Sequence, residues 1–87
     1  MKNQKLSDKE YIYIIDRLKK ARLQLKLNQG EVAKKVNEYS SYLSKVENNS
    51  RELDIFELLD LCLIYNLKLK DILPERYYKL LNLDKSK

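Results

Sequence analysis

The side chains best suited to recognition chemistry are a group of short polar residues and one lysine between positions 40 and 48. The group consists of Ser40, Ser41, Ser44, Lys45 and Asn48. Hydroxyl, amide and ammonium groups of this kind can approach base edges and phosphates in the major groove of DNA. If one face of a helix carries them all, that face is a candidate DNA-reading surface.

Two short helices joined by a tight turn are predicted to position this surface. Their apolar stripes, at helical spacing, consist of Val32, Ala33, Val36, Leu43 and Val46. The break between them is predicted at Asn37, because asparagine tolerates the left-handed backbone that follows a helix end. The small side chain of Ala33 would let the second helix cross closely.

At this stretch the chain resembles the lambda repressor/Cro-like (XRE) helix-turn-helix family. That family opens its first motif helix with Gln, places Ala four residues later and ends the recognition helix with an apolar residue and Glu. Here these residues are Gln29, Ala33 and Val46-Glu47. The resemblance extends from about Leu18 to Leu73.

The resemblance implies an all-α fold, a compact five-helix DNA-binding domain over residues 1–74 with its motif at 29–49. Single Gly and Pro residues and the lack of β-branched alternation agree with an all-α chain. The remaining residues, 75–87, form a tail for which a short helical extension and a role in dimerisation are predicted.

The resemblance also implies an ion pair between Arg22 and Glu47, which would tie the first helix to the end of the recognition helix. By the same resemblance, Gln29 contacts a backbone phosphate and braces the start of the recognition helix. A bidentate pair of this kind would fix geometry more than it would add stability.

The recognition helix is predicted over residues 40–48. The base contacts predicted for it are Ser40, Ser41, Tyr42, Ser44 and Lys45. The predicted phosphate contacts are Gln29, Lys35, Tyr39, Asn48 and Asn49. Tyr39 and Tyr42 are also candidates for packing against a thymine methyl group or a sugar.

The chain departs from the family pattern at four positions. Lys26, Asn37 and Asn49 stand where the family usually has Gly, and Asn is the next best residue at positive φ. Tyr39 stands where the family usually has Ser or Thr as a helix cap, so the start of the second motif helix is not determined by the sequence.

The composition of the chain limits the kinds of partner and functional site that it can have. The 87 residues form one small domain with a net charge of +5, which favours an anionic partner. There is no His, and Cys62 is the single cysteine, so an intrachain disulfide and the common zinc sites are excluded. No enzymatic activity, metal or cofactor is predicted. Without a signal peptide or an apolar run of membrane length, a cytoplasmic location is expected.

Outside the motif, Ser7 and Glu10 have the spacing of a capping box for a first helix that runs to about Lys26. Asp54 and Glu57 repeat this signal before a helix over 55–65 that is apolar nearly all round. Such a helix lies in a core or buries its second face on another subunit. The predicted dimer contacts are Leu61, Tyr65, Tyr77, Leu80 and Leu81.

The sequence therefore predicts a sequence-specific regulator of transcription that binds double-stranded DNA. As a homodimer it would place the 40–48 helix in the major groove of a palindromic operator. The alternative is an antitoxin or other protein-interaction module that retains the helix-turn-helix fold, with a toxin or the transcription machinery as its protein partner. No membrane association is predicted.

Overall fold

The computed structural model describes residues 8–81, which form four α-helices and two 3-10 helices. The elements are α1 (Asp8–Gln24), α2 (Gln29–Lys35), α3 (Tyr42–Glu47), α4 (Ile55–Tyr65) and the 3-10 helices Leu69–Asp71 and Glu75–Leu81. No strand occurs between residues 8 and 81, and the all-α prediction is confirmed. The fifth helix is a single 3-10 turn ahead of Pro74, and the predicted C-terminal extension is the second 3-10 helix. The predicted Ser7 cap and residues 82–87 lie outside the described residues.

Capping boxes start both α2 and α4, and the one at Asp54 and Glu57 is the one predicted from the sequence. The Asn28 side chain accepts a hydrogen bond from the Glu31 backbone N–H at 2.8 Å, and the Glu31 carboxylate accepts one from the Asn28 N–H at 2.8 Å. Asp54 and Glu57 repeat this exchange at 2.8 and 3.0 Å. These bonds satisfy backbone donors that have no partner inside the helix, and they fix where each helix begins.

Each of the four α-helices is followed by a residue in the left-handed conformation. The residues are Lys26, Asn37, Asn49 and Asn66, with φ of 62°, 64°, 68° and 58°. After each, the next N–H bonds back to the carbonyl five positions earlier, as from Ser50 to Lys45 at 2.9 Å. This is the Schellman arrangement, which favours Gly or Asn at the left-handed position. Three of the four stops follow that preference, and Lys26 does not.

The core lies where α2 and α3 pack against α1 and α4. Its buried apolar residues are Ile15, Leu18, Val32, Ala33, Tyr42, Leu43, Val46, Leu61, Cys62, Tyr65 and Ile72. The predicted stripes of the two motif helices are therefore buried, except that Val36 is only half-buried. Cys62 is buried as well, and desolvation raises the pKa of its thiol.

The two dimer contacts predicted on α4, Leu61 and Tyr65, are wrong. Leu61 and Tyr65 are only 1% and 3% exposed, because they form the face of α4 that packs into the core of the same chain. The apolar residues that α4 leaves exposed are Ile55, Phe56, Leu59 and Leu63. They recur at i, i+1, i+4 and i+8, so they lie along one side of the helix.

The second 3-10 helix folds back onto the start of α1. The Glu10 carboxylate accepts hydrogen bonds from Arg76 Nη2 at 2.6 Å and from the Tyr77 hydroxyl at 3.1 Å. The hydrogen bond from Arg76 is the main cause that lowers the pKa of Glu10 below its usual value of 4.5. Tyr77 and Leu81 are half-buried in this arrangement, whereas Leu80 is exposed.

Candidate nucleic-acid interface

The polar residues singled out in the sequence lie together on the outer side of α3 and the turn before it. Ser40, Ser41, Lys45 and Asn48 are exposed, and Ser44 is half-buried. Positions 41, 44, 45 and 48 recur at helical spacing, so they form one face opposite the buried residues of α3. This surface, residues 40, 41, 44, 45 and 48, is called the polar face of α3 below.

The recognition helix is shorter than the predicted 40–48. It begins at Tyr42 and ends at Glu47, and Ser40 and Ser41 belong to a turn closed by a hydrogen bond from the Tyr42 N–H to the Tyr39 carbonyl at 2.9 Å. No side chain caps the helix at Ser41. The two serines still precede the first helical residue directly, so they occupy the N-terminal end of the polar face.

The predicted base contact of Tyr42 is wrong. Its side chain is 4% exposed, because Tyr42 shares the inward side of α3 with Leu43 and Val46 at i, i+1 and i+4. The Arg51 guanidinium lies over the Tyr42 ring, 4.6 Å from its centre, and Nη2 of Arg51 donates to Glu57 at 2.9 Å. Burial raises the pKa of Tyr42 to about 12. This role of Arg51 was not predicted, and no local pattern around position 51 indicates it.

The predicted ion pair between Arg22 and Glu47 is present and is part of a larger cluster. Arg22 donates to both carboxylate oxygens of Glu47, at 2.7 Å from Nε and 2.9 Å from Nη2. Arg22 Nη1 also donates to the Leu27 carbonyl at 2.8 Å. The hydrogen bonds to Glu47 are the main cause that raises the pKa of Arg22 above its usual value. The cluster joins α1, the α1–α2 connection and α3.

Gln29 is also part of this cluster, which corrects one detail of its predicted role. Its side-chain Nε2 donates to Oε1 of Glu47 at 2.9 Å, so Gln29 braces the end of α3 and not its start. A glutamine amide carries two N–H donors. Because Gln29 is half-buried and one donor is used, one N–H is left for a phosphate oxygen.

The other predicted phosphate contacts differ in what they can offer. Lys35 is exposed at the last residue of α2. The Asn48 side-chain oxygen accepts hydrogen bonds from the Ser50 N–H at 3.0 Å and the Ser50 hydroxyl at 2.6 Å, which leaves its NH₂ group as the outward donor. Asn49 is exposed at the left-handed stop after α3. Tyr39 is exposed in the α2–α3 connection.

Among residues 8–81, no helix has both the length and the apolar character needed to cross a bilayer. In comparisons with known proteins, a family model described as helix-turn-helix (HTH_3) matches residues 18–72. No curated protein and no solved structure gave a significant match to the chain.

Proposed function

The chain belongs to the XRE-type, lambda repressor/Cro-like helix-turn-helix family of DNA-binding regulators, and from this premise we propose that it reads a palindromic operator as a homodimer. In this proposal the polar face of α3 enters the major groove of double-stranded DNA. A cytoplasmic location is part of this proposal.

The length of α3 supports the need for two copies. Six residues at about 1.5 Å per residue give a helix of only about 9 Å, which reaches roughly three base pairs. Such a short site recurs too often to be specific. Two copies of α3 about 34 Å apart would read two half-sites on the same side of the duplex, and this doubles the contacts.

The exposed apolar side of α4 is the dimer surface that we propose. Phe56, Leu59 and Leu63 recur at i, i+3 and i+7, and Leu63 is 80% exposed. Apolar side chains aligned in this way on a surface helix are typical of a subunit interface. The proposal replaces Leu61 and Tyr65 by these residues.

We further propose that the DNA-binding domain spans residues 1–74, and that the tail, 75–87, adds to the dimer. The tail residues proposed for this contact are Tyr77, Leu80 and Leu81. Leu80 is exposed beside the contact that joins the second 3-10 helix to α1, so its side chain is available to a second copy.

The assignments on the DNA side follow the chemistry of each exposed group. Ser40, Ser41, Ser44 and Lys45 are the proposed base contacts, and Lys45 is suited to the guanine O6 and N7 acceptors. The phosphate contacts proposed here are Gln29, Lys35, Asn48 and Asn49. The Arg22–Glu47–Gln29 cluster supports this assignment, because it ties the phosphate-facing start of α2 to the end of the base-facing α3.

The observation that carries the proposal concerns residues 40–48. Every exposed or half-buried side chain there is polar, and every apolar or aromatic side chain is buried. Selection of bound sequences from random duplexes by the full chain tests it. The expected result is an enriched palindrome whose half-sites are about one helical turn apart, bound less tightly as salt rises. If no sequence is enriched and binding is equally weak for all duplexes, the protein-interaction alternative is favoured, with a toxin or the transcription machinery as partner.

A further inference from the structure

Tyr39 presents its ring to solvent in a way that the fold does not require. The side chain is 85% exposed, more than any other large apolar or aromatic side chain among residues 8–81. Its ring makes no hydrogen bond and no ring contact with the described residues. An aromatic surface of this size costs free energy in water, and the cost is recovered when the ring is covered by a ligand.

The backbone on both sides of Tyr39 is nevertheless fixed. The Tyr39 carbonyl accepts the Tyr42 N–H at 2.9 Å, and one residue earlier the Glu38 N–H bonds to the Ala33 carbonyl at 2.9 Å, where α2 ends. Asn37 sets the direction of this connection with its left-handed conformation. The exposed ring is therefore held by α2 on one side and by α3 on the other, directly before Ser40.

The polar face of α3 has no apolar group with which to read a base. Serine hydroxyls donate and accept, so they distinguish bases poorly, and Lys45 reads only acceptors. Each thymine displays a C5-methyl group in the major groove, which is the one apolar feature of that groove. The N-terminal residues of a recognition helix are those that meet base edges, and Tyr39 extends that end of the helix.

We propose that Tyr39 determines specificity by packing its ring against the C5-methyl group of a thymine in each half-site. This inference rests on the proposed function, and it names one chemical feature of the operator that the protein reads. It differs from a phosphate contact by Tyr39, which would use the phenolic hydroxyl and would not depend on the base.

Uracil, which lacks the C5-methyl group, provides the probe. Each thymine of the selected operator is replaced in turn by deoxyuridine, and binding to the full chain is measured at one salt concentration. For the parent protein, replacing the contacted thymine of one half-site is expected to weaken binding about fourfold, the effect of burying one methyl group. Tyr39→Ala should lose that dependence and bind both duplexes alike.

Two further variants make the result specific to the ring. Tyr39→Phe keeps the ring and removes the hydroxyl, so it should retain the thymine dependence. Tyr13→Ala alters another partly exposed tyrosine, on α1, and should leave the dependence unchanged. Because Tyr39 is almost fully exposed, its variants should melt at the temperature of the parent protein.

The outcomes separate this inference from the proposal on which it depends. If the operator is enriched but every thymine can be replaced without loss, the methyl contact is refuted and the regulator proposal stands. If Tyr39→Phe weakens binding to all duplexes equally and uracil has no effect, Tyr39 contacts phosphate instead. If no sequence is enriched at all, both proposals fail.

Discussion

The Arg22 guanidinium and the Glu47 carboxylate form a bidentate ion pair across 25 positions of the chain, at 2.7 and 2.9 Å. Only 7% and 6% of their side-chain surfaces are exposed. A buried pair of this kind adds little net stability, since removing both charges from water offsets much of the attraction between them. Its main effect is geometric, because it fixes the end of α3 against α1.

Removing one partner of this pair is expected to destabilise the fold strongly. Arg22→Ala leaves the Glu47 charge buried without its cation, so the free energy of unfolding should fall by about 3–5 kcal/mol in urea denaturation. Arg22→Met combined with Glu47→Leu should regain most of that loss, because no charge remains buried. Lys19→Ala, an exposed change on α1, is the control. If Arg22→Ala unfolds at the same urea concentration as the parent protein, the pair does not act as described.

A substitution at Lys26, just after the end of α1, is expected to stabilise the fold. Lys26 has a φ of 62°, a conformation that costs a residue with a Cβ atom about 1–2 kcal/mol and costs glycine almost nothing. Lys26→Gly should therefore raise the free energy of unfolding by about 0.5–1 kcal/mol, after allowance for the greater entropy of glycine in the unfolded chain. Thermal unfolding should show an increase in Tm of roughly 2–8 °C.

The matched change for Lys26→Gly is Lys19→Gly, which places glycine in the middle of α1. That variant should lose about 1 kcal/mol, because glycine is unfavourable inside a helix. Loss of stability in both variants would show that the left-handed conformation at Lys26 carries no strain.

Substitutions on the polar face of α3 should separate binding from stability. Lys45→Ala is expected to weaken operator binding by about 1–3 kcal/mol and to relax the preference at one base pair, with little change in Tm. Ser41→Ala should also weaken binding without destabilising the fold, because its side chain is exposed and caps nothing. Unchanged affinity in both variants would mean that another surface reads the DNA.

Lys35→Ala should behave differently from Lys45→Ala if it contacts phosphate. Its affinity should fall by a similar factor for all sequences, and the dependence of log K on log salt should become shallower by about one unit. Titrations of the selected operator and of an unrelated duplex at several salt concentrations measure both effects. A sequence-dependent loss would instead place Lys35 at a base.

Alkaline pH is expected to unfold the protein through its buried tyrosines. The pKa of Tyr42 is raised to about 12 from 10, mainly by burial, and burial also raises that of Tyr65. Above about pH 10 the unfolded chain releases protons that the folded chain retains. The contribution of these tyrosines to the free energy of unfolding is therefore fully present below that pH and decreases as the pH rises toward 12. The decrease amounts to at most about 1.4 kcal/mol per pH unit for each group.

Urea denaturation at about pH 9 and about pH 11 measures this decrease. Tyr42→Phe should make the decrease smaller, and Tyr39→Phe, which changes an exposed ring, is the control. Equal stability of the parent protein at the two pH values would contradict the account.

The exposed side of α4 predicts how the proposed dimer can be separated into monomers. Leu63→Lys places a charge where the proposed interface is apolar, so the variant should sediment as a monomer. The monomer should remain folded, with the Tm expected for a single chain. Its binding to a single half-site should persist, and its binding to the full palindrome should lose the gain from the second copy. Ile12→Lys, at an exposed position on α1, should leave the dimer intact. If Leu63→Lys remains a dimer, the interface lies elsewhere.

Local signals in the sequence determined most of the secondary structure of this protein. The caps at Asn28 and Asp54 act over three residues, and the stops at Asn37, Asn49 and Asn66 act over five. Interactions this short depend on neighbouring side chains alone, so they can be predicted without knowledge of the fold. The Arg22–Glu47 pair spans a longer distance, and the family resemblance made it predictable.

The tertiary structure decided which side chains are buried where the sequence pattern does not distinguish the two sides of a helix. The helix α4 is apolar nearly all round, so periodicity cannot say which side faces the core; packing against α1 places Leu61 and Tyr65 inside and Leu63 outside. The orientation of Tyr42 depends likewise on where α3 starts, which no local cap specifies. A residue's neighbours along the chain determine helix ends, whereas burial depends on segments that are distant in sequence.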